Sequence, residues 1–562
     1  MIVDGATVDA ALTADVAVVG AGPAGIVTAL ELGRAGLDVV LLESGGESFS
    51  PGIQALGDAA GYDATLHAPM SMTTRRQVGG ASEIWGGRCV PYDPVDFDPR
   101  SWITGHRWPV AYADLEPYFQ RACDWCVCGR AVFDAMETGF LPPSIVPGLP
   151  NGEVRTSTLE RWSLPTRFGR VYRAPLRESP RVRLVTGVTC TRIVVGAGGS
   201  DVECLSGRTL EGRTVEVRAR RYVTACGGLE GTRLLLASPM PDGRAVGNHS
   251  DHLGRWYMGH VEGVVANVRL TTPPRQTLYG YERDVDGVYV RRRLSLSPEL
   301  QHREGLPNMI AWLAHPDLAD AEHRSGVLSF AYLALSSPLG HLMAPDALRA
   351  AMTGEAVPGA PYGRGVRSPR GEHVRNIARD AVATARFAAS FGARRFLARG
   401  RRVPGFAVYS ARNVYPLHYH GEHVPHHASR VTLADERDAV GMPRLRIDIR
   451  FTDADVDGAV RAHEAWDAFL RRHEVGRLEY AVDDVADGVR GWLGGGFHQT
   501  GTTRMSERSE DGVLDRDLAV HGLPTLHVVS SSAFPTSSQA NSTFMILPFA
   551  LRLVDHLKRA LA

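Results

Sequence analysis

Lysine is almost missing from this chain. Of its 562 residues, 62 are basic, and Lys558 is the one lysine among them. Enzymes that form a Schiff base, and nucleotide-binding proteins with a phosphate-loop lysine, both depend on that side chain. The sequence therefore argues against pyridoxal-phosphate enzymes and phosphate-loop nucleotidases.

An excess of charge of either sign is also missing, because 62 acidic residues balance the 62 basic ones. Electrostatics thus gives no reason to expect nucleic acid or an anionic membrane as a partner. The seven cysteines are irregularly spaced, which is not typical of a disulfide framework and fits a reducing compartment.

Long hydrophobic runs are missing too. The longest, residues 16–30, is interrupted by three glycines and a proline and is too short to span a bilayer. The first residues include Asp4, Asp9 and Asp15 but no early basic residue, so no secretory signal is expected. We predict a cytoplasmic globular protein that is not bound to a membrane. Its 44% hydrophobic content suffices for two or more domains.

Residues 15–44 have the pattern of a dinucleotide-binding βαβ unit. A β-branched strand leads into a turn with Gly20, Gly22 and Gly25, a helix-like stretch follows, and a second apolar strand ends at Glu43. The glycines allow the tight turn, backbone approach to a pyrophosphate, and close packing of helix on strand. The helix N-terminus attracts phosphate, and Glu43 is placed to accept hydrogen bonds from ribose hydroxyls.

A second glycine-rich stretch, residues 194–201, does not predict another nucleotide site. Alternating residues interrupted by Gly207 and Gly212 follow it in place of a helix, which is typical of antiparallel strands. The strand at residues 222–225 is predicted to return to the nucleotide-binding sheet.

Near the other end of the chain, residues 494–505 read GGGFHQTGTTRM and place His498 among small residues. A histidine is largely neutral near pH 7 yet can take up a proton, which suits a catalytic base. The chain has 21 histidines, however, so residue type alone does not assign this role.

Together these segments resemble the glucose-methanol-choline (GMC) family of FAD-dependent oxidoreductases, closest in character to bacterial sugar and glycoside oxidases similar to pyranose oxidase. The resemblance also rests on the stretch GGASEIWGGRCVPYDPVDF at residues 79–97, on residues 108–122, 253–260 and 428–455, and on the segment that begins at Phe497.

The resemblance implies an α/β fold (α+β overall), with a Rossmann-like FAD-binding domain and a substrate domain built on an antiparallel β-sheet with helices. We predict residues 1–254 as the N-terminal part of a discontinuous FAD-binding domain, including the flavin loop at 79–97. Residues 255–489 are predicted to bind substrate, and residues 490–562 to return to the FAD domain with the catalytic residues.

The resemblance also implies specific residues. His498 matches the catalytic base of the family, and Asn541 matches the partner that orients the substrate hydroxyl. FAD is the implied cofactor, and it is expected to be noncovalent because Ile84 precedes Trp85, where some members carry the linking histidine. The implied FAD-binding residues are Gly20, Gly22, Pro23, Ala24, Gly25, Glu43, Ser44, Gly80, Ser82, Trp85, Gly86, Gly87, Cys190, Ala225, Gly227, Ser531, Ser542 and Thr543.

Two positions depart from the family pattern, since Ser530 stands in place of an aspartate and Asn541 is followed by Ser542 in place of proline. The implied activity is oxidation of a hydroxyl of a sugar, glycoside or hydroxylated natural product to a carbonyl. Oxygen or another acceptor would reoxidise the flavin. A lyase with a structural flavin, as in the family's hydroxynitrile lyases, and a noncatalytic flavin-binding protein remain alternatives, and the oligomeric state stays open.

Three further segments are rich in residues that can bind ligands or metals. The stretch HYHGEHVPHH at residues 418–427 places His418 and His420 on one face of a strand. We predict that they contact substrate and that no metal binds, and a plain surface strand remains the alternative. The C-x-x-C within residues 123–128 is predicted to hold neither a metal nor a disulfide, and the arginine-rich residues 363–402 to form one or two amphipathic helices.

Overall fold

The computed structural model describes residues 1–103, 105, 107–344, 346–355, 367–410 and 412–562. Within these residues the strands are β1 (Ile2–Asp4), β2 (Ala11–Val19), β3 (Val39–Leu42), β4 (Gly61–Tyr62), β5 (Arg88–Cys89), β6 (Val154–Arg155), β7 (Leu159–Trp162), β8 (Val182–Thr186), β9 (Thr189–Val195), β10 (Val202–Arg208), β11 (Thr214–Thr224), β12 (His260–Leu270), β13 (Glu282–Arg283), β14 (Tyr289–Arg292), β15 (Leu294–Leu296), β16 (Met309–Leu313), β17 (Val414–Glu422), β18 (Arg430–Arg437), β19 (Pro443–Asp448), β20 (Gly476–Tyr480), β21 (Ala519–Val520) and β22 (Leu523–Val528).

The helices of the same part of the chain are α1 (Pro23–Arg34), α2 (Pro51–Gln54), α3 (Met70–Thr73), α4 (Phe119–Cys126), α5 (Ala135–Thr138), α6 (Phe168–Val171), α7 (Arg173–Glu178), α8 (Gly228–Leu236), α9 (Pro298–Glu304), α10 (Gly326–Leu335), α11 (Gly340–Met343), α12 (Asp346–Thr353), α13 (Arg370–Arg379), α14 (Ala381–Gly392), α15 (Asp453–Arg472), α16 (Val485–Trp492) and α17 (Ser542–Leu561).

The larger sheet has parallel strands at its centre. Its order is β1-β8-β3-β2-β11-β10-β9, and β22 pairs with β11 in parallel. The last four residues of β2 are buried on both faces, as expected for a parallel strand covered on two sides. The helices α1 and α17 pack against each other beside this sheet. The parallel strands therefore deliver the turn before α1 and the chain before α17 to one edge of the sheet.

The second glycine-rich stretch lies in the hairpin between β9 and β10, which pair antiparallel. The next strand, β11, runs parallel to β2 and pairs Thr224 with Val19, so the chain returns to the nucleotide-binding sheet here. The first strand of the βαβ unit starts earlier than its sequence pattern indicates, at Ala11, because residues 11–14 extend the pairing with β11.

The second large sheet has the order β20-β12-β17-β16-β15-β6, and all of its strand pairs are antiparallel. Helices α15 and α16 pack against its edge strand β20 and against β12, and Trp466 and Phe469 of α15 belong to the hydrophobic core there. The predicted fold class is confirmed, since a parallel nucleotide-type sheet is joined to a sheet-based second domain.

Strand pairing crosses the predicted domain ranges at several points. Strands β6 and β7 lie within residues 1–254 but pair with strands of the substrate range, β6 with β15 and β7 with β14, and β5 joins the same sheet through β7. Strand β19 pairs with β4 in a separate three-stranded sheet. The chain therefore passes between the two large sheets more often than a division into three contiguous ranges allows. The predicted domain boundaries stay a prediction.

The arginine-rich segment forms α13 and α14 in its described part, whereas residues 363–366 lie outside the described residues. Both helices pack against α10, and Val374 and Val382 are exposed. No helix in the described ranges is both long and apolar enough to cross a bilayer.

Candidate active site

An elongated cleft runs from the ends of β2 and β3 to the segment around His498. It encloses about 1400 Å³, with open solvent at its mouth included. Of the residues implied to bind FAD, all except Gly25, Gly86 and Gly87 line it. The lining residues are Val19, Gly20, Gly22, Pro23, Ala24, Leu42, Glu43, Ser44, Thr73, Thr74, Arg75, Arg76, Gly80, Ala81, Ser82, Trp85, Val188, Thr189, Cys190, Ala225, Cys226, Gly227, Gly228, Glu230, Leu234, Met442, Phe497, His498, Gln499, Val529, Ser530, Ser531, Ser542, Thr543 and Ile546.

Two glycines in the turn before α1, Gly20 and Gly25, leave no room for a larger residue. Gly20 has φ of +98°, and a Cβ on Gly25 would lie 1.8 Å from the Gly20 carbonyl oxygen. Gly22 is the N-cap of α1 and offers no side chain to the helix N-terminus. The free backbone N–H groups of that first turn face the cleft end at Gly22, an arrangement that binds a phosphate-type anion.

Glu43 lies at the end of β3, beside that turn. Its carboxylate accepts hydrogen bonds from the backbone N–H of Ala21 and of Gly45, each at 2.8 Å. Burial raises the pKa of the Glu43 carboxyl, and those two hydrogen bonds counteract the rise. Each oxygen keeps acceptor capacity for a further donor, such as a ribose hydroxyl.

The flavin loop approaches the turn before α1 closely. A Cβ on Gly80 would lie 2.9 Å from the Cα of Gly22, so the two backbones pack almost directly on each other. Trp85 lines the cleft and is held by a 2.9 Å hydrogen bond from its Nε1 to the Thr166 carbonyl. Gly87 lies outside the cleft, and its carbonyl accepts from the backbone N–H of Ser163 at 2.7 Å, which supports the adjacent small sheet.

A second helix N-terminus reaches the cleft. Ser542 and Thr543, the first residues of α17, line it, and their N-cap Asn541 makes no side-chain capping bond. Ser530 lines the cleft as well, and its Oγ accepts from the backbone N–H of Ser532 at 3.3 Å. At the position of the family's aspartate, Ser530 therefore serves as a local cap.

The segment that carries His498 is held at both ends by backbone pairing. Gly495 bridges His67, and Thr500 bridges Met258. Gly496 has φ of +107°, and a Cβ there would lie 2.8 Å from the His67 ring, so the small residues allow the chain to pass close to buried neighbours. The glycine-rich segment thus forms a loop that backbone pairing anchors at both ends.

His498 and Asn541 are in direct contact at the end of the cleft. The Asn541 Nδ2 donates to the His498 Nε2 at 2.8 Å, given the tautomer with its proton on Nδ1. Burial lowers the pKa of His498 to about 4, while the Glu262 carboxylate raises it and the Arg88 guanidinium lowers it further. The imidazole is therefore neutral at pH 7 and keeps one lone pair for a proton.

Two further imidazoles stand beside His498, on two strands of the second sheet. The ring of His260 is 4.8 Å from that of His498 and 4.2 Å from that of His420, measured between centroids. Both His260 and His420 are almost fully buried. Sequence reasoning missed His260 because no local pattern links the start of β12 to β17 and to the loop of His498.

The histidines of residues 418–427 make different kinds of contact. His418 stacks on Trp312, with centroids 4.3 Å apart, and its Nε2 lies 3.7 Å from a Glu262 oxygen. His423 instead accepts the backbone N–H of Gly259 at 3.1 Å, a structural contact. The predicted substrate-contacting pair therefore lies on the side of the sheet that faces Glu262.

Several residues that could contact a cofactor or substrate were not singled out in the sequence. Arg76 pairs with Glu230 and donates from Nη1 to the Ser44 Oγ at 2.9 Å, beside Glu43. Arg88 forms a 2.5 Å ion pair with buried Glu160. The local sequence around Arg76 and Arg88 does not indicate their partners, so these contacts become visible only in the folded structure.

All seven cysteines are free thiols in this structure.

Comparisons with known proteins agree with this geometry. Residues 425–550 match the family model of a GMC oxidoreductase, and residues 13–57 match that of an FAD binding domain. The chain is similar to 6'''-hydroxyparomomycin C oxidase of Streptomyces lividus, with 32% identity over 43% of this chain and 53% of that protein. It is similar to paromamine 6'-oxidase of Streptomyces fradiae, with 31% identity over 43% of this chain and 52% of that protein. It therefore spans about half the length of these curated relatives.

Among solved structures, pyridoxine 4-oxidase from Mesorbium loti shares the fold, with a TM-score of 0.55 and 19% identity over 96% of this chain and 98% of that one. The dinucleotide turn, the two open helix N-termini and the Glu43 carboxylate fit FAD, so the fold and the cleft define an FAD-binding domain. The matches to the two family models agree with the resemblance of the sequence to GMC oxidoreductases, and the cofactor is FAD.

Proposed function

We propose that this protein oxidises an alcohol to a carbonyl, with His498 as the base and with noncovalently bound FAD. The contact between Asn541 and His498 at the end of the FAD cleft is the observation that carries the proposal. When bound, FAD supplies the hydride acceptor, the flavin N5. The protein supplies the base and the geometry.

Asn541 and His498 form a matched donor and acceptor pair. A substrate hydroxyl placed between them accepts from the Asn541 Nδ2 and donates to the His498 Nε2, so it replaces one hydrogen bond with two. The hydroxyl proton passes to His498 as the carbon-bound hydrogen leaves as hydride, and the C–O single bond becomes a carbonyl. Asn541 also orients that carbon, because a hydroxyl held at two points has little rotational freedom.

The surroundings of His498 support a polar substrate. Glu262, His418, His420 and Arg88 lie nearby, and Trp312 adds an aromatic face. Two curated relatives are named for oxidation of aminoglycosides. We therefore propose a sugar or glycoside substrate, an amino sugar in particular, whose ammonium group the Glu262 carboxylate would attract.

An anaerobic substrate panel tests this function. Holoenzyme is mixed without oxygen with paromamine, glucose, a small aliphatic alcohol and an aryl alcohol, and flavin absorbance is followed. Paromamine or glucose is expected to bleach the flavin and to yield one carbonyl per FAD. A flavin that no alcohol bleaches would contradict the proposal, and redox-inert flavin with His498-dependent turnover of a cyanohydrin would establish the lyase alternative. Reoxidation with oxygen or an artificial acceptor then assigns oxidase or dehydrogenase.

A further inference from the structure

Three imidazoles meet beside the cleft in a constellation that alcohol oxidation does not require. His260, His420 and His498 each offer one nitrogen, and these nitrogens all lie within 4.8 Å of one another. We propose that these three side chains bind a divalent transition-metal ion such as Zn²⁺, and that the bound ion reversibly blocks the base. The blocking rests on the proposed function, whereas the binding does not.

Two of the three rings are already oriented as metal ligands usually are. The Nδ1 of His420 lies 2.7 Å from the Gln539 carbonyl, and the Nδ1 of His260 lies 3.3 Å from the Gly421 carbonyl. A proton on each Nδ1 leaves each Nε2 with a lone pair. Backbone carbonyls at the far nitrogen are the support that fixes the tautomer of metal-bound histidines.

One nitrogen of the cluster lacks a hydrogen-bond partner. The Nε2 of His260 is buried and has no hydrogen-bond partner among the described residues. A buried acceptor without a partner is costly, and an ion or a donor at that point removes the cost. The His420 Nε2 lies 4.0 Å from a Glu262 oxygen, which brings a carboxylate to the same place.

Charged groups of both signs stand near the three rings. The Glu262 carboxylate lies 4.0 Å from the His420 Nε2, and its negative charge favours a cation there. The Arg88 guanidinium opposes a cation, and its partner Glu160 also pairs with Arg291. The arrangement of the three nitrogens therefore carries the proposed site.

The ligand type selects the ion. Three imidazoles with a nearby carboxylate suit Zn²⁺, Cu²⁺ or Ni²⁺, whereas Mg²⁺ and Ca²⁺ prefer oxygen ligands. Zinc–nitrogen bonds are about 2.0–2.1 Å long, so the rings must close in slightly on the ion. When His498 binds the ion through its Nε2, it gives up the hydrogen bond from Asn541.

Inhibition follows from the single lone pair of a neutral imidazole. When His498 binds an ion through that pair, it can no longer take the hydroxyl proton. A chelator restores the lone pair, and activity returns.

Zinc binding is measured on the FAD-loaded protein by competition with a chromophoric chelator. The wild type is expected to bind one Zn²⁺ per chain and no Mg²⁺. His260→Phe should weaken Zn²⁺ binding by at least ~100-fold, the upper end of what loss of a supporting group costs a metal site. His420→Phe serves as a second variant, retained flavin absorbance reports folding, and His341→Gln, an exposed histidine, is the matched control.

The binding proposal is overturned if the wild type binds no stoichiometric Zn²⁺, or if both Phe variants, folded and loaded with FAD, bind it as the wild type does. Inhibition of flavin reduction by Zn²⁺, with recovery on adding EDTA, is expected in the wild type only. Binding without inhibition would overturn the blocking role. An enzyme that oxidises no alcohol but binds zinc through these residues would refute the proposed function and leave the site intact.

Discussion

The pH dependence of flavin reduction follows directly from the surroundings of His498. Burial lowers its pKa to about 4, and the base works only when it is unprotonated. The rate of flavin reduction is therefore lost as pH falls through about 4, and it is retained near pH 6.5, the ordinary pKa of histidine. A histidine with a pKa of about 4 is about 97% neutral at pH 5.5, whereas one of about 6.5 is about 9% neutral.

Stopped-flow mixing under anaerobic conditions, with saturating substrate, measures the reduction rate at each pH. We expect nearly equal rates at about pH 7.5 and about pH 5.5, whereas an unperturbed histidine would lose about tenfold. A tenfold fall between those values, in protein that is still folded and loaded with FAD, would refute the assigned surroundings of His498.

Folding must be followed in the same samples, because other buried histidines destabilise the protein in acid. Burial lowers the pKa of His67 and of His463 to about 4, and both side chains are fully buried. The unfolded chain takes up these protons below about pH 6.5, so each site costs about 1.4 kcal/mol of unfolding free energy at about pH 5.5. Thermal melts at each pH show where the rate comparison is valid.

Three further outcomes are expected from single substitutions. Asn541→Ala should slow flavin reduction about tenfold, the equivalent of one hydrogen bond of about 1.4 kcal/mol, and an unchanged rate would remove Asn541 from the site. Gly25→Ala should yield protein without FAD on gel filtration, because the added Cβ meets a carbonyl oxygen at 1.8 Å, whereas Gly52→Ala, with open space at its Cβ, should retain it. Arg100→Met leaves buried Glu422 without its bidentate partner and should lower the free energy of unfolding by about 3–5 kcal/mol in denaturant titrations. Adding Glu422→Leu should recover part of that loss, and equal stability of the single and double variants would contradict an unpaired charge as the cause.

The nucleotide-binding half of the fold could be predicted because its signals are local. The strand, the turn at Gly20 to Gly25, the helix and Glu43 follow one another in the chain, and each has its own composition. The start of β2 was not predicted, because residues 11–14 are strand only through their pairing with β11. Tertiary pairing decides such boundaries.

The candidate site is a different case. His498 and Asn541 are 43 residues apart, and the sequence linked them only through the family resemblance. His260, Arg88 and Glu262 were not singled out, since they lie in β12 and β5, whose neighbouring strands come from distant parts of the chain. The same long-range pairing placed β5, β6 and β7 with the second domain, which no contiguous range could express.

In the proposed reaction His498 takes the hydroxyl proton during alcohol oxidation in the FAD cleft. Single-turnover reduction of wild type and His498→Ala by an alcohol that bleaches the wild-type flavin tests it most directly, with FAD content and product carbonyl measured in both. Loss of a general base is expected to slow reduction by about 10²- to 10⁴-fold while FAD stays bound, and the wild type should form one carbonyl per flavin. Equal reduction rates in the two proteins would contradict the account.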